Sequence, residues 1–150
     1  MFDQNKAEIW DDFLSDFGSF RLHCDRIAYD GITNPADDIF YPGVSLEIPT
    51  EIKKEIREKL NAIAGVELSY EYMFLRLSLD GCFAPHQVHN DHTMGDYLFM
   101  LYLNRSMHCE GGTSIVEHKT EVLSRHPLPS NGQGIWERDH ADYDAWEIVK

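Results

Sequence analysis

Residues 86–104 of this 150-residue chain read HQVHNDHTMGDYLFMLYLN, and this stretch governs the expected fold. Its second half, residues 97–103, is a run of apolar and aromatic side chains of the kind that forms a buried β-strand. Its first half is polar and contains His89 and Asp91. Because residues i and i+2 of a strand point to the same face, these two side chains are expected to project side by side. An imidazole and a carboxylate so placed are two of the three ligands of the facial triad that suits non-haem iron(II).

Apolar and polar residues also alternate in the sequence on either side of this stretch. Alternating apolar residues predict strands at residues 68–79, 112–123 and 145–149, separated by polar turns. Between the last two, residues 124–143 contain two prolines, two glycines and several acids, which indicates a long loop. These strands are expected to form an antiparallel β core.

The N-terminal part is predicted to contain two helices. Apolar side chains recur at helical spacing in residues 4–17, where Gly18 would end the helix, and again in residues 51–64. Residues 19–29 alternate imperfectly and are predicted to be a strand, and a turn-rich stretch follows. The expected fold class is therefore mainly β with N-terminal helices (α+β), formed by residues 1–150 as a single domain.

Charge and composition exclude several classes of function. The chain has 13 basic and 26 acidic residues and a net charge of −13, which opposes attraction to nucleic acid or to an anionic membrane surface. Its N-terminus lacks the features of a signal peptide, and no apolar run approaches the length of a membrane span. The three cysteines, Cys24, Cys82 and Cys109, are too few and too irregular for a disulfide framework or a zinc knuckle. We expect a cytoplasmic protein with reduced thiols.

Segment 74–118 resembles the 2-oxoglutarate- and iron(II)-dependent dioxygenase family, including its prolyl-4-hydroxylase-like, phage and marine-bacterial members. Three motifs carry the resemblance and follow one another in the family's order: a His-x-Asp, a strand ending in Tyr-Leu-Asn, and a Glu-Gly-Gly-x-Thr/Ser turn. In this chain they are His89-Asn90-Asp91, Tyr97-Leu98-Phe99-Met100-Leu101-Tyr102-Leu103-Asn104 and Cys109-Glu110-Gly111-Gly112-Thr113-Ser114.

The resemblance implies a fold, a cofactor and a reaction. The fold would be a double-stranded β-helix, or jelly roll, in which His89 and Asp91 hold Fe(II) and 2-oxoglutarate is the cosubstrate. Tyr97 and Tyr102 either reach a carboxylate of the cosubstrate through their hydroxyls or belong to the core. The implied activity is oxidative decarboxylation of 2-oxoglutarate coupled to hydroxylation of a small-molecule or peptidyl substrate.

The chain departs from the family after the Gly-Gly turn. Family members complete the metal site with a second histidine on a late strand and a basic residue further along. Here His140 is the nearest substitute, and residues 143–150 resemble the strand that leads to the family's histidine. The chain is therefore expected to be an incomplete oxygenase domain without its last strands. Strand edges left exposed in this way would favour a homodimer.

Two other functions are open from the sequence. The first is a noncatalytic binding or assembly module descended from the β-helix fold, since a fold does not fix a function. The second is a hydrolase that binds zinc through the cluster formed by His86, His89 and His92. Stoichiometric metal binding and succinate formation together distinguish these alternatives from the oxygenase.

Overall fold

The structure is a computed structural model that describes residues 7–35, 38–69, 72–79, 97–104, 113–120 and 132–149. The chain divides into two compact units, Met1–Cys82 and Phe83–Lys150, each described here by itself. Within the described ranges it combines helices with three two-stranded antiparallel sheets. No helix in these ranges is long and apolar enough to cross a lipid bilayer. The architecture is thus a mixture of helices and small antiparallel sheets, and the jelly roll stays a prediction.

The longest helix of the first unit confirms the helix predicted at residues 51–64. It is α2, Thr50–Ala64, and Pro49 occupies its N-cap position, where the ring fixes the backbone at φ −54°. Gly65 ends the helix in the left-handed conformation with φ 70°, which glycine adopts without steric cost. Its N–H donates to the carbonyl of Asn61 at 2.9 Å, so the last turn is closed.

The other N-terminal predictions are wrong. Helix α1 spans Phe17–Cys24, whereas the sequence predicted a helix at residues 4–17 and a strand at residues 19–29. The described residues 7–16 contain no helix. The helix therefore begins where it was expected to end.

A side-chain cap explains where α1 begins. The carboxylate of Asp16 accepts a hydrogen bond from the N–H of Ser19 at 3.0 Å, which satisfies one of the unpaired donors of the first turn. Gly18 lies inside that turn, not beyond the helix. Phe20 and Cys24 are four residues apart and form the buried face of α1.

A β-hairpin occupies the turn-rich stretch that follows. Strands β1 (Ile32–Asn34) and β2 (Ile39–Tyr41) pair antiparallel with Thr33 opposite Phe40. Gly31 precedes the hairpin with φ 89°, and a Cβ there would lie 2.7 Å from the carbonyl oxygen of Tyr41. Only glycine fits this position.

In the described part of the strand predicted at residues 68–79, only two residues form a strand. Strand β4 is Leu75–Arg76, and it pairs antiparallel with β3, Val44–Ser45. Leu75 is the one residue of β4 that is buried, so the apolar alternation of the sequence does not produce a long one-sided strand. Apolar side chains from both helices, β3, β4 and the connecting loops form the core of this unit: Phe13, Leu14, Phe20, Cys24, Val44, Ile48, Ile56 and Leu75.

The second unit contains one antiparallel pair in its described part. Strand β5, Val116–His118, lies within the strand predicted at 112–123, and β6, Trp146–Ile148, confirms the strand predicted at 145–149. His118 lies opposite Trp146 in this pair. A short 3-10 turn at Tyr143–Ala145 precedes β6, and the carboxylate of Asp142 caps it.

Two predictions for this unit are wrong. The loop predicted at residues 124–143 contains helix α3, Gly132–Asp139. Residues 97–103 form no strand, although exposed and half-buried side chains alternate from residue 98 to residue 104. A strand also needs a hydrogen-bonded partner, which an apolar run does not supply by itself.

Candidate functional site

The two predicted iron ligands, His89 and Asp91, lie outside the described residues, and their role stays a prediction. In the described ranges, no group of three or more His, Cys, Asp or Glu side chains is arranged to hold a metal ion. The described part of the second unit contains two histidines, His118 and His140, and their surroundings differ.

The two predicted cosubstrate contacts, Tyr97 and Tyr102, are not core residues. Their exposed fractions are 42% and 58%. The hydroxyl of Tyr102 accepts a hydrogen bond from the backbone N–H of Thr113 at 3.1 Å. The Thr113 hydroxyl in turn lies 3.5 Å from the sulfur of Met100. These contacts bring Tyr102 next to Thr113, the residue that follows Gly111-Gly112 in the sequence. Because the Tyr102 oxygen is the acceptor in this bond, the hydroxyl hydrogen can still be donated to another group.

In the described part of the second unit, a buried polar cluster joins β5 to the end of α3. His118 Nε2 lies 3.0 Å from Oδ2 of Asp139, and both side chains are buried. Trp146 completes the cluster, because its Nε1–H donates to the Asp139 carbonyl at 2.8 Å. Its ring also meets the His118 ring edge to face, with centroids 5.0 Å apart.

The charge of Asp139 is strongly favoured in the folded protein. Hydrogen bonds from the Arg138 guanidinium, followed by the bond from His118, hold the pKa of this carboxyl well below its usual range. The Arg138 Nε–H donates to Oδ1 at 2.6 Å. Asp139 is therefore an ionised hydrogen-bond acceptor near neutral pH, and it is not a proton donor.

Both ring nitrogens of His118 have partners. The backbone N–H of Thr120 lies 3.3 Å from Nδ1, and because an amide can only donate, Nδ1 is the unprotonated nitrogen. Nε2 then carries the hydrogen that bonds Asp139. Neither nitrogen presents a lone pair to a metal ion, so His118 stabilises the fold of this unit.

His140, which follows α3 directly, differs from His118 in this respect. Its Nδ1 lies 3.0 Å from the carbonyl oxygens of both Trp136 and Glu137. Carbonyl oxygens only accept, so Nδ1 carries the hydrogen and Nε2 carries the lone pair. The ring stacks on Trp136 with centroids 4.8 Å apart and planes inclined by 29°. This half-buried imidazole can accept a proton or bind a metal ion through Nε2.

Sequence reasoning did not find the His118–Asp139 pair. The two residues are 21 positions apart and form no motif. Asp139 also lies in the stretch that the sequence predicts to be a loop. One local feature could have indicated a short helix here. An apolar Ile-Trp pair at residues 135–136 is followed by Arg138-Asp139, whose charges can bind neighbouring groups at the end of a helix.

In the first unit, polar side chains line a groove between α1 and α2. Glu55 accepts hydrogen bonds from the N–H of Ser15 and from Nζ of Lys59, both at 2.7 Å. His23 donates from Nε2 to the carbonyl of Glu47 at 2.7 Å. These contacts join the residues before α1 to α2, and join α1 to the loop before α2, which indicates a structural role.

Comparison with known proteins gives no relative: no family model, no curated protein and no solved structure matches the chain significantly.

Proposed function

We propose that this chain is an Fe(II)- and 2-oxoglutarate-dependent oxygenase domain of the double-stranded β-helix type, in which His89 and Asp91 bind the metal. The observation that carries the proposal is the order of three motifs within residues 89–114: His-x-Asp, Tyr-Leu-Asn and Glu-Gly-Gly-Thr. The contact between Tyr102 and Thr113 supports it, because the second and third motifs meet there as successive parts of one site would.

The chemistry of the donor set fits Fe(II). A neutral imidazole and a carboxylate are the donor types of the facial triad, and they leave positions open for a cosubstrate. A site made of three thiolates or of oxygens alone would favour other metals. Both predicted ligands belong to the second unit, as do Tyr97 and Tyr102.

Each residue of the proposed site has a separate task. His89 and Asp91 fix the position of the metal, which supplies the oxidative chemistry when 2-oxoglutarate is bound. The Tyr102 hydroxyl is oriented by the Thr113 N–H that it accepts, so its own hydrogen is available to a carboxylate of the cosubstrate. Tyr97 lies at the start of the same segment and is exposed enough to contact a ligand.

An anaerobic titration tests this function. Adding Fe(II) and then 2-oxoglutarate to the metal-free protein should produce the weak visible charge-transfer band of a keto acid chelated to iron. The variant His89→Ala should lose the band. His92→Ala is the matched control, because it removes a neighbouring imidazole outside the His-x-Asp motif and should keep the band.

The titration also separates the alternatives. Absence of the band in the wild-type protein would contradict the oxygenase and favour a noncatalytic module. Tight zinc binding without a band would favour the hydrolase, whose site needs three protein ligands and an open position.

A further inference from the structure

We infer that Thr120 is a nucleophilic site that takes up acyl groups from activated esters, with His118 as the base for its hydroxyl proton and Asp139 as the group that positions His118. All three residues lie in the described part of the second unit. The inference does not use the proposed metal site, and its test is carried out without metal.

The first argument is a chain of contacts that leads from the surface to the interior. The Thr120 hydroxyl lies 3.3 Å from Nδ1 of His118, and Nε2 of the same ring lies 3.0 Å from Oδ2 of Asp139. A hydroxyl, an imidazole and a carboxylate in this order form the arrangement by which proteins activate a nucleophile, and its contacts are often loose before a substrate binds. The three residues therefore have the connectivity of a nucleophile, its base and the group that orients the base.

The second argument is the position of the proton on His118. The backbone N–H of Thr120 also lies 3.3 Å from Nδ1, and an amide can only donate, so Nδ1 carries a lone pair. The Thr120 hydroxyl is therefore the donor in its own contact with Nδ1, and its oxygen keeps its lone pairs for an acyl carbon. The two donors share one lone pair, which agrees with the length of both contacts.

The third argument is the charge that His118 acquires when it takes the proton. Asp139 is ionised, because the guanidinium of Arg138 donates to its Oδ1 at 2.6 Å and holds the pKa of the carboxyl well below its usual range. A carboxylate bound to Nε2 stabilises an imidazolium and keeps the ring in one orientation. The Trp146 ring packs edge to face against the imidazole, with centroids 5.0 Å apart, and restrains it further.

The fourth argument is the exposure of the three residues. Thr120 is exposed, whereas His118 and Asp139 are buried, so an acyl donor reaches the hydroxyl from solvent without displacing the base. Threonine is a secondary alcohol, and its attack is easiest when the leaving group departs as a stable anion that needs no proton donor. Aryl esters and thioesters meet this condition. The substrate class is therefore an activated acyl ester.

The reaction needs only these residues, the acyl donor and water. The Thr120 oxygen forms a bond to the acyl carbon, its proton moves to Nδ1 of His118, and the leaving group takes the electron pair of the bond that breaks. His118 then releases the proton to solvent. In a second step water attacks the new ester and gives a proton to Nδ1, and the Thr120 oxygen leaves and takes up that proton.

The test uses p-nitrophenyl acetate as the acyl donor and the full chain in a chelator. Samples quenched with acid are digested, and ester-bound acetyl groups, which hydroxylamine removes, are located by mass spectrometry. Thr113 is an internal reference, because it is also exposed but its hydroxyl contacts the sulfur of Met100 and not an imidazole. A general base contributes about 10²- to 10⁴-fold, so acetylation of Thr120 should be at least about 100-fold faster than that of Thr113.

Two substitutions at Thr120 separate its hydroxyl from its backbone contact. Thr120→Val has nearly the same shape and keeps the backbone N–H, but it has no hydroxyl and should lose the release of p-nitrophenolate that depends on this site. Thr120→Ser keeps a hydroxyl and should retain the reaction. Thr113→Val is the matched control and should release p-nitrophenolate at the wild-type rate.

The variant His118→Gln tests the base. Its amide keeps a donor near the position of Nε2 for Asp139 but has no basic nitrogen, so acetylation of Thr120 should fall to the rate seen at Thr113. Near-UV circular dichroism shows whether this variant is folded. If it is not folded, the comparison of Thr120 with Thr113 in the wild-type protein decides the inference.

Three outcomes would overturn the inference. They are equal acetylation of Thr120 and Thr113 in the wild-type protein, acetyl groups on lysine amines alone, and an unchanged rate in Thr120→Val or in folded His118→Gln. None of them affects the oxygenase proposal, which the anaerobic titration tests separately.

Discussion

At the scale of single residues, the charge of Asp139 makes the second unit sensitive to acid. Its pKa is lowered from the ordinary value of 3.8 by hydrogen bonds from Arg138 and His118. A depressed folded pKa gives stability that is fully present above the ordinary value and is lost as the pH falls through the folded value. We therefore expect Asp139→Asn to destabilise the protein at neutral pH, and the difference from wild type to shrink below about pH 4.

Denaturant unfolding of the metal-free protein in a chelator, at pH values from about 7 to about 3, measures this difference. Glu137→Gln is the matched control, because it neutralises an exposed acid two residues before Asp139. It should change the free energy of unfolding little at any pH. A difference between wild type and Asp139→Asn that stays constant across this range would contradict the assignment.

The indole of Trp146 is a second test of the same cluster. Its Nε1–H donates to the Asp139 carbonyl at 2.8 Å, so Trp146→Phe leaves a buried acceptor without its partner. We expect a loss of about 1–3 kcal/mol in the free energy of unfolding, measured by urea denaturation. Ile148→Val on the same strand changes a side chain that is 71% exposed and should cost less than about 0.5 kcal/mol. Equal losses in the two variants would show that the hydrogen bond from Trp146 to Asp139 does not contribute to the free energy of unfolding.

At the scale of elements, two glycines with the same backbone conformation should differ in their tolerance of a side chain. Gly65 ends α2 with φ 70° and has nothing within 4 Å of a built Cβ, whereas Gly43 has φ 69° and the Leu77 carbonyl oxygen 2.7 Å away. Gly65→Ala should therefore lower the free energy of unfolding only by the penalty for a side chain in the left-handed conformation, about 1–2 kcal/mol. Gly43→Ala should cost more, because it also displaces the chain next to the β3–β4 pair.

Thermal and denaturant unfolding of these two variants measure the difference. If Gly43→Ala is the milder change, the close approach of Gly43 to Leu77 is wrong.

The helices show why sequence predicted some elements and not others. Helix α2 is long and amphipathic and has a proline before it and a glycine after it, so local signals were sufficient. Helix α3 begins with Gly132 and contains Gly134, which disfavour a helix. It is anchored through Asp139, whose partners His118 and Trp146 lie on β5 and β6. Such contacts depend on tertiary structure and have no signature in the local sequence.

The sequence predicts the part of the candidate site that forms a short motif. His89 and Asp91 follow from two-residue spacing, and they stay predictions because they lie outside the described residues. His140 was named only as the nearest substitute for a missing ligand. The carbonyls that accept the hydrogen bonds from its Nδ1–H belong to the preceding helical turn, and the sequence predicted a loop there.

At the scale of the whole molecule, the proposal assigns metal binding to the second unit. The proposed ligands His89 and Asp91 lie within Phe83–Lys150, and α2, the longest described helix, lies within Met1–Cys82. A ligand that binds only the folded state stabilises it by about 2.7 kcal/mol at a concentration 100 times its dissociation constant. Amides of the second unit whose exchange requires the site to open should therefore exchange about 100-fold more slowly under those conditions.

Hydrogen exchange of the full chain, with and without Fe(II) and 2-oxoglutarate under anaerobic conditions, locates this stabilisation. Peptides of the second unit should become protected, because the proposed ligands His89 and Asp91 lie in that unit. His89→Ala should remove the protection while the exchange of the metal-free protein stays the same. Protection confined to α2, with none in the second unit, would mean that the ligands bind elsewhere and that the His-x-Asp motif does not form the site.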